Sequence, residues 1–188
     1  MKRRFQEIGS GDTAVRRTLA NMRRLARRDA RDPVILAIVR TFQGTIEQKI
    51  YQAFRYVVEH MRYVSDPPKR EYVVAPKYIL NGRHPWGDCD DMSVALAALL
   101  LGMDVQVWFR VIDWKKDKDG YSHVYVLAQI PGQNMAIPLD PVMKYKGFGA
   151  EKSPVKRLAD FPVHTDAAWI QRPGTFQQRA KRKTLYVA

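Results

Sequence analysis

Apolar positions are densest between Met92 and Leu101, within Asp90-Asp91-Met92-Ser93-Val94-Ala95-Leu96-Ala97-Ala98-Leu99-Leu100-Leu101-Gly102. Met92, Leu96, Leu99 and Leu100 recur at helical spacing, and almost every other position is Ala, Leu or Val. A helix apolar on most sides is buried on most sides. Gly102 predicts its stop, and Asp88 its N-cap. Asp90 and Asp91 fall in the first turn, where carboxylates suit the positive end of the helix dipole.

Strand patterns follow. Val105 to Ile112 is rich in β-branched and aromatic residues. Asp113 to Gly120 is charged and ends in glycine, as a hairpin loop does. Ser122 to Ile130 alternates, with His123, Tyr125 and Leu127 on one face and Val124, Val126 and Ala128 on the other. Pro131 to Asn134 reads as a turn, and Met135 to Leu139 as a third strand with Asp140 at its end. Three neighbouring strands can set His123 beside Asp140, and the helix can pack its head against both.

Upstream, the pattern is helical. Val15, Leu19, Met22 and Ala26 form a stripe flanked by Arg16, Arg17, Arg23, Arg24, Arg27 and Arg28, with Asp12 as a cap and Asp32-Pro33 as a break. A second helix starts near Pro33 with Val34, Ile35, Ile38, Val39 and Phe42. After Gly44-Thr45 a third carries Ile46, Ile50, Phe54, Val57, Val58 and Met61.

The chemistry sits at the head of the central helix. Cys89 is the only cysteine, in Gly87-Asp88-Cys89-Asp90-Asp91. A lone cysteine is often just a small buried hydrophobe. Here it is followed in order by a histidine and an aspartate on strands, the layout of a thiol acyl-transfer site. A free thiol, with a pKa of about 8.5, is mostly protonated at neutral pH. The helix dipole and a neighbouring imidazolium from His123 would lower that value. Asp140 would orient the imidazole, and N–H groups at the helix start would hold an oxyanion. The flanking carboxylates oppose this if they face the sulfur. Their spacing matches no metal motif, and no metal or cofactor is expected.

This arrangement resembles the transglutaminase-like superfamily of cysteine enzymes, in the style of its small bacterial and phage-encoded members. That family shows a Gly-x-Cys motif at the start of a central helix, then a His on one strand and an Asp on the next. Cys89, His123 and Asp140 match those positions. The resemblance also takes in Tyr63-Val64-Ser65-Asp66-Pro67, Glu71 and Pro76-Lys77-Tyr78-Ile79-Leu80, so it covers residues 45 to 142. It implies an α+β fold with a papain-like core, a central helix on an antiparallel sheet, preceded by N-terminal helices. It also implies acyl transfer from an amide: transglutamination, deamidation or proteolysis of a protein or peptide substrate. Trp86 (through its indole N–H) and Asn81 are candidates for a second oxyanion donor or for the cleft wall. His84 is the reserve base, and His60 reads as structural.

Length and charge bound the rest. A chain of 188 residues, 46% of them hydrophobic, can build one good core. No apolar run is long enough to span a membrane. Met1-Lys2-Arg3-Arg4 opens no apolar signal region, and one cysteine excludes an internal disulfide, so a reducing cytoplasm is expected. The net charge of +13 is uneven: +6 over 1–32, +2 over 33–170 and +5 over 171–188. The chain divides into a basic amphipathic arm (1–32), a transglutaminase-like domain (33–170) and a basic tail (171–188) with Arg179, Lys181, Arg182 and Lys183. The basic ends suit an acidic protein surface, nucleic acid or anionic lipid. Stacking on nucleic acid gains little support, since Phe5 is the only aromatic in 1–32. By analogy with phage-encoded members, an alternative to the enzyme is a virion structural or assembly protein docking on neighbouring subunits through those ends.

Overall fold

The computed structural model describes residues 6–7, 12–67, 70–113, 120–130, 132–133, 135–153, 155–167 and 170–173. Its helices are α1 (Asp12–Asp29), α2 (Pro33–Val39), α3 (Ile46–His60), α4 (Pro76–Leu80) and α5 (Cys89–Gly102). Its strands are β1 (Gln6–Glu7), β2 (Arg62–Tyr63), β3 (Arg70–Glu71), β4 (Trp86–Gly87), β5 (Gln106–Asp113), β6 (His123–Gln129), β7 (Ala136–Leu139), β8 (Arg157–Pro162) and β9 (Ile170–Pro173). A 3-10 helix spans Pro141–Lys146.

The fold is α+β, with α5 at its centre, as its composition requires. Every residue from Asp90 to Leu100 is buried. On one side α5 meets Leu19, Met22, Leu25 and Ala26 of α1, Ile35 of α2, and Ile50, Ala53, Phe54 and Val57 of α3. On the other it meets the sheet. The sheet order is β7-β6-β5-β8-β9, and every pairing is antiparallel. Val107, Phe109, Val111, Val124, Val126 and Ala128 face the core with α5. Ile112, Tyr125, Leu127 and Leu158 lie on the opposite face with Val155. The alternation expected for β6 is therefore the real one. β8 and β9 were not expected from the pattern. Two short ladders complete the structure, β1 with β3 (antiparallel) and β2 with β4 (parallel).

Local chemistry sets the boundaries. Thr45 caps α3 in a full capping box with Gln48. Asp32 caps α2, with Pro33 in the first turn where its missing N–H is harmless. α5 stops at Gly102, but not through a left-handed glycine. The left-handed residue is Asp104, at φ 58°. Gly102 is small because an added Cβ would lie 3.3 Å from Ala30 O and 3.3 Å from Val39 Cγ2. The hairpin residues 114–119 lie outside the described residues. In the next turn, Gln133 N–H donates to Ile130 O at 3.0 Å.

One bond ties α5 to the sheet. Ser93 is fully buried, and its hydroxyl donates to Val124 O at 3.2 Å. Ser93→Ala strands that carbonyl acceptor, and stability should fall by about 1 kcal/mol, read as a lower urea midpoint at unchanged slope. An unchanged midpoint would mean that the bond contributes nothing net.

Candidate active site

The head of α5 is built by two interlocking aspartates. Asp88 is the N-cap, and its Oδ1 accepts from Asp90 N–H at 3.0 Å. Asp91 stands three residues past the cap, and its Oδ1 accepts from Val74 N–H at 2.7 Å. The Asp88 N–H acts on the same carboxyl group. This crowds Gly87, where an added Cβ would lie 2.2 Å from Asp91 Oδ2 and 2.3 Å from Asp91 Cβ. The glycine of Gly-Asp-Cys-Asp-Asp is thus set by its fit to Asp91 and needs no unusual backbone angle. Burial, with the Asp88 and Asp66 carboxylates nearby, pushes the Asp91 carboxyl up to about 8, against the hydrogen bonds that favour its charge. Asp91 therefore carries its proton at neutral pH, which relieves the crowding of negative charge expected around Cys89.

Cys89 itself is half-buried at the first helical position. Its thiol donates to Asp90 Oδ1 at 3.6 Å. The potential ligand atoms of Asp88, Cys89 and Asp90 lie within 4.8 Å of one another. Two carboxylates in such a set fall well short of the six to eight oxygens that calcium takes.

The imidazole and carboxylate expected as partners do meet. His123 Nε2 lies 2.7 Å from Asp140 Oδ2. His123 opens β6, and Asp140 follows β7, its neighbour in the sheet. Asp140 is 3% exposed, and its Oδ1 caps the 3-10 helix by accepting from Val142 and Met143 N–H at 3.1 and 3.4 Å. Its orientation is therefore fixed by backbone. With Nε2 engaged, Nδ1 is the ring nitrogen left to exchange a proton with a substrate or thiol. The Ser93 bond locates Cys89 relative to this pair. Cys89 is four residues before Ser93, on the same helix face, and Val124 adjoins His123. The first turn of α5 thus lies at the His123 end of β6.

Of the remaining candidates, Trp86 is near Cys89 in sequence, on the strand that leads into α5. Trp86 is 42% exposed on β4, and its ring centroid lies 4.5 Å from that of the buried His84. Asn81 is exposed, and its Oδ1 accepts from Arg83 N–H at 3.0 Å within its own turn. His60 stacks on Tyr56 at 3.9 Å. Tyr63, which pairs with Gly87 in the β2 and β4 ladder, and Val64 are half exposed, and Tyr63 feels the charges of Cys89, Asp88 and Asp90. Trp86 is a cleft candidate from the sequence alone, whereas the exposure of Tyr63 and Val64 is not legible there.

Of the six arginines expected to hold a partner, at least four also make contacts within the described fold. Arg27 pairs with Asp166 at 2.6 Å, and Arg28 with Asp29 at 2.6 Å. Arg23 donates to Thr165 O at 3.3 Å and lies 4.7 Å above the Phe161 ring. Arg24 donates to Asn21 Oδ1 at 2.7 Å. Arg16 and Arg17 are exposed. Arg179, Lys181, Arg182 and Lys183 lie outside the described residues. No helix among the described residues is long and apolar enough to cross a membrane.

No protein-family model and no curated protein sequence matches the chain. Among solved structures it is similar to a candidate protease of Parabacteroides distasonis, with a TM-score of 0.54 and 11% identity. That likeness covers 84% of this chain and 31% of the other, so the chain spans about a third of that protein. A candidate cysteine protease of Cytophaga hutchinsonii gives a TM-score of 0.42 at 12% identity, covering 86% of this chain and 56% of the other. Neither likeness points to a phage or a virion. The first likeness shows a shared fold, consistent with the α+β core and central helix expected from the sequence.

The raised carboxyl of Asp91 makes stability pH-dependent. Its folded value of about 8 exceeds the ordinary 3.8, so between those values the folded state binds the extra proton. Stability then falls as pH rises through that window. Asp91→Asn should gain on the natural protein by on the order of 1 kcal/mol per pH unit between pH 5 and 8, in urea titrations. A constant difference would show the carboxylate already ionised in the fold.

Proposed function

We propose that the protein is a thiol acyl-transfer enzyme of the transglutaminase-like kind, acting on a carboxamide of a protein or peptide. The observation that carries this reading is the His123–Asp140 bond, at the strand end beside the head of α5. Cys89 Sγ attacks the amide carbon, and its proton passes to His123 Nδ1. The C–N bond of the tetrahedral intermediate breaks as His123 returns that proton to the leaving nitrogen. The resulting thioester is opened by water, giving a hydrolase, or by an amine, giving transamidation. Asp140 fixes the imidazole tautomer with the proton on Nε2. The Cys89 backbone N–H and the Trp86 indole N–H stabilise the oxyanion. The half-exposed Trp86 offers an apolar wall for the acyl group.

The single cysteine makes the test direct. Iodoacetamide alkylation of the folded protein, measured against pH, should proceed near pH 6 and lose that low-pH reactivity in His123→Ala. Asp140→Asn reverses the tautomer preference and should slow acyl transfer by roughly 10²–10⁴-fold once a substrate is found. A thiol titrating near an ordinary pKa of about 8.5, indifferent to His123, would overturn the reading.

A further inference from the structure

Behind His123 lies a buried polar network that the acyl-transfer steps do not use. Arg110 on β5 stands opposite Tyr125 on β6 and opposite Asp160 on β8. Its guanidinium grips Asp160 with both arms, Nε to Oδ1 at 2.7 Å and Nη2 to Oδ2 at 2.9 Å. Nη1 donates to Glu151 Oε1 at 2.9 Å. The same oxygen accepts from the Tyr125 hydroxyl at 2.7 Å. Tyr125 is 1% exposed, and its ring lies 5.8 Å from that of His123, tilted by 32°.

A buried ion cluster is weak evidence for stability, since apolar residues of similar volume often do as well. This one is bidentate, and it ends on the hydroxyl of the ring that packs against His123. We propose that Arg110, Asp160 and Glu151 form a positioning network that acts through Tyr125 to hold the His123 imidazole on Asp140. The network also carries charge. Glu151 sets a second carboxylate beside the guanidinium, behind the imidazole. Burial works against the Arg110 cation, but Asp160 and Glu151 outweigh it and keep it charged. Burial raises the Glu151 carboxyl, and the Tyr125 and Arg110 hydrogen bonds oppose that rise. The carboxylate in direct contact with His123 is Asp140, beyond β7; Cys89 and Asp90 stand at the head of α5, toward the same end of the sheet. A charge about 10 Å away, at an effective dielectric of about 20, moves a titration midpoint by about one pH unit.

The proposal rests on the role proposed for His123, but its test does not need an active thiol. The His123 ring is titrated by NMR in the full chain carrying Cys89→Ser, alone and combined with Glu151→Gln or Tyr125→Phe. Glu151→Gln keeps the shape and removes the charge, and should lower the His123 midpoint by about one pH unit. Tyr125→Phe removes only a hydroxyl, which frees the Glu151 carboxyl to rise. It should shift the midpoint in the same direction and speed exchange of the Nε2 proton. If Glu151→Gln does not fold, the Tyr125→Phe titration decides alone. Folded variants with an unchanged midpoint and unchanged proton exchange, whatever their melting temperature, would overturn the proposal. A shifted midpoint beside an ordinary Cys89 would uphold it and reject the acyl-transfer reading.

Discussion

The rest of the structure depends on burying α5 on all sides. Eleven of its fourteen residues are buried, so only its ends are open to chemistry. The connection that follows fixes where its partners lie. Val105 N–H donates back to Leu100 O at 3.1 Å, which turns the chain sharply after the helix. β5 then runs back along α5. Eight strand residues cover about 26 Å and fourteen helical residues about 21 Å, so β5 ends near the helix head. The antiparallel return starts β6 at that end, and its first residue is His123. Topology brings the start of β6 to the helix-head end of the sheet without a long loop.

This explains why so much was legible in the sequence. α5 declared itself through composition, and β5 to β7 through alternation and branching. The order Cys, His, Asp follows from the run of helix, hairpin and edge strand. What was not legible depends on partners distant in sequence. Arg110 sits in an apolar strand and reads there as an interruption. Its meaning comes from Asp160, which lies on a strand the pattern did not announce, and from Glu151 in a loop. Gly87 shows the same limit. Its small size is required by Asp91, four residues on, and only the packed first turn of α5 reveals that.

Charge tells a similar story. A stripe flanked by six arginines suggests an interaction surface, yet the apolar stripe itself is core. Asp166, Asp29 and Thr165 take up Arg27, Arg28 and Arg23. Exposed pairs of this kind contribute little stability. They do reduce the charge that α1 offers to a polyanion, so the basic composition overstates the electropositive face of the described fold.

The head of α5 sets two tendencies against each other. The helix dipole and an imidazolium at His123 favour a thiolate. The Asp90 contact and the Asp88 carboxylate bring negative charge close to the sulfur. Asp91 shifts the balance, because its proton removes one negative charge from the cluster at neutral pH. On the proposed reading, the remaining excess is met from the sheet side, by the His123 imidazole that Asp140 orients. An acidic loop around Cys89 then suits thiol chemistry only when the imidazole is held in place. On that reading the residues behind His123 matter to the reaction as much as those beside Cys89.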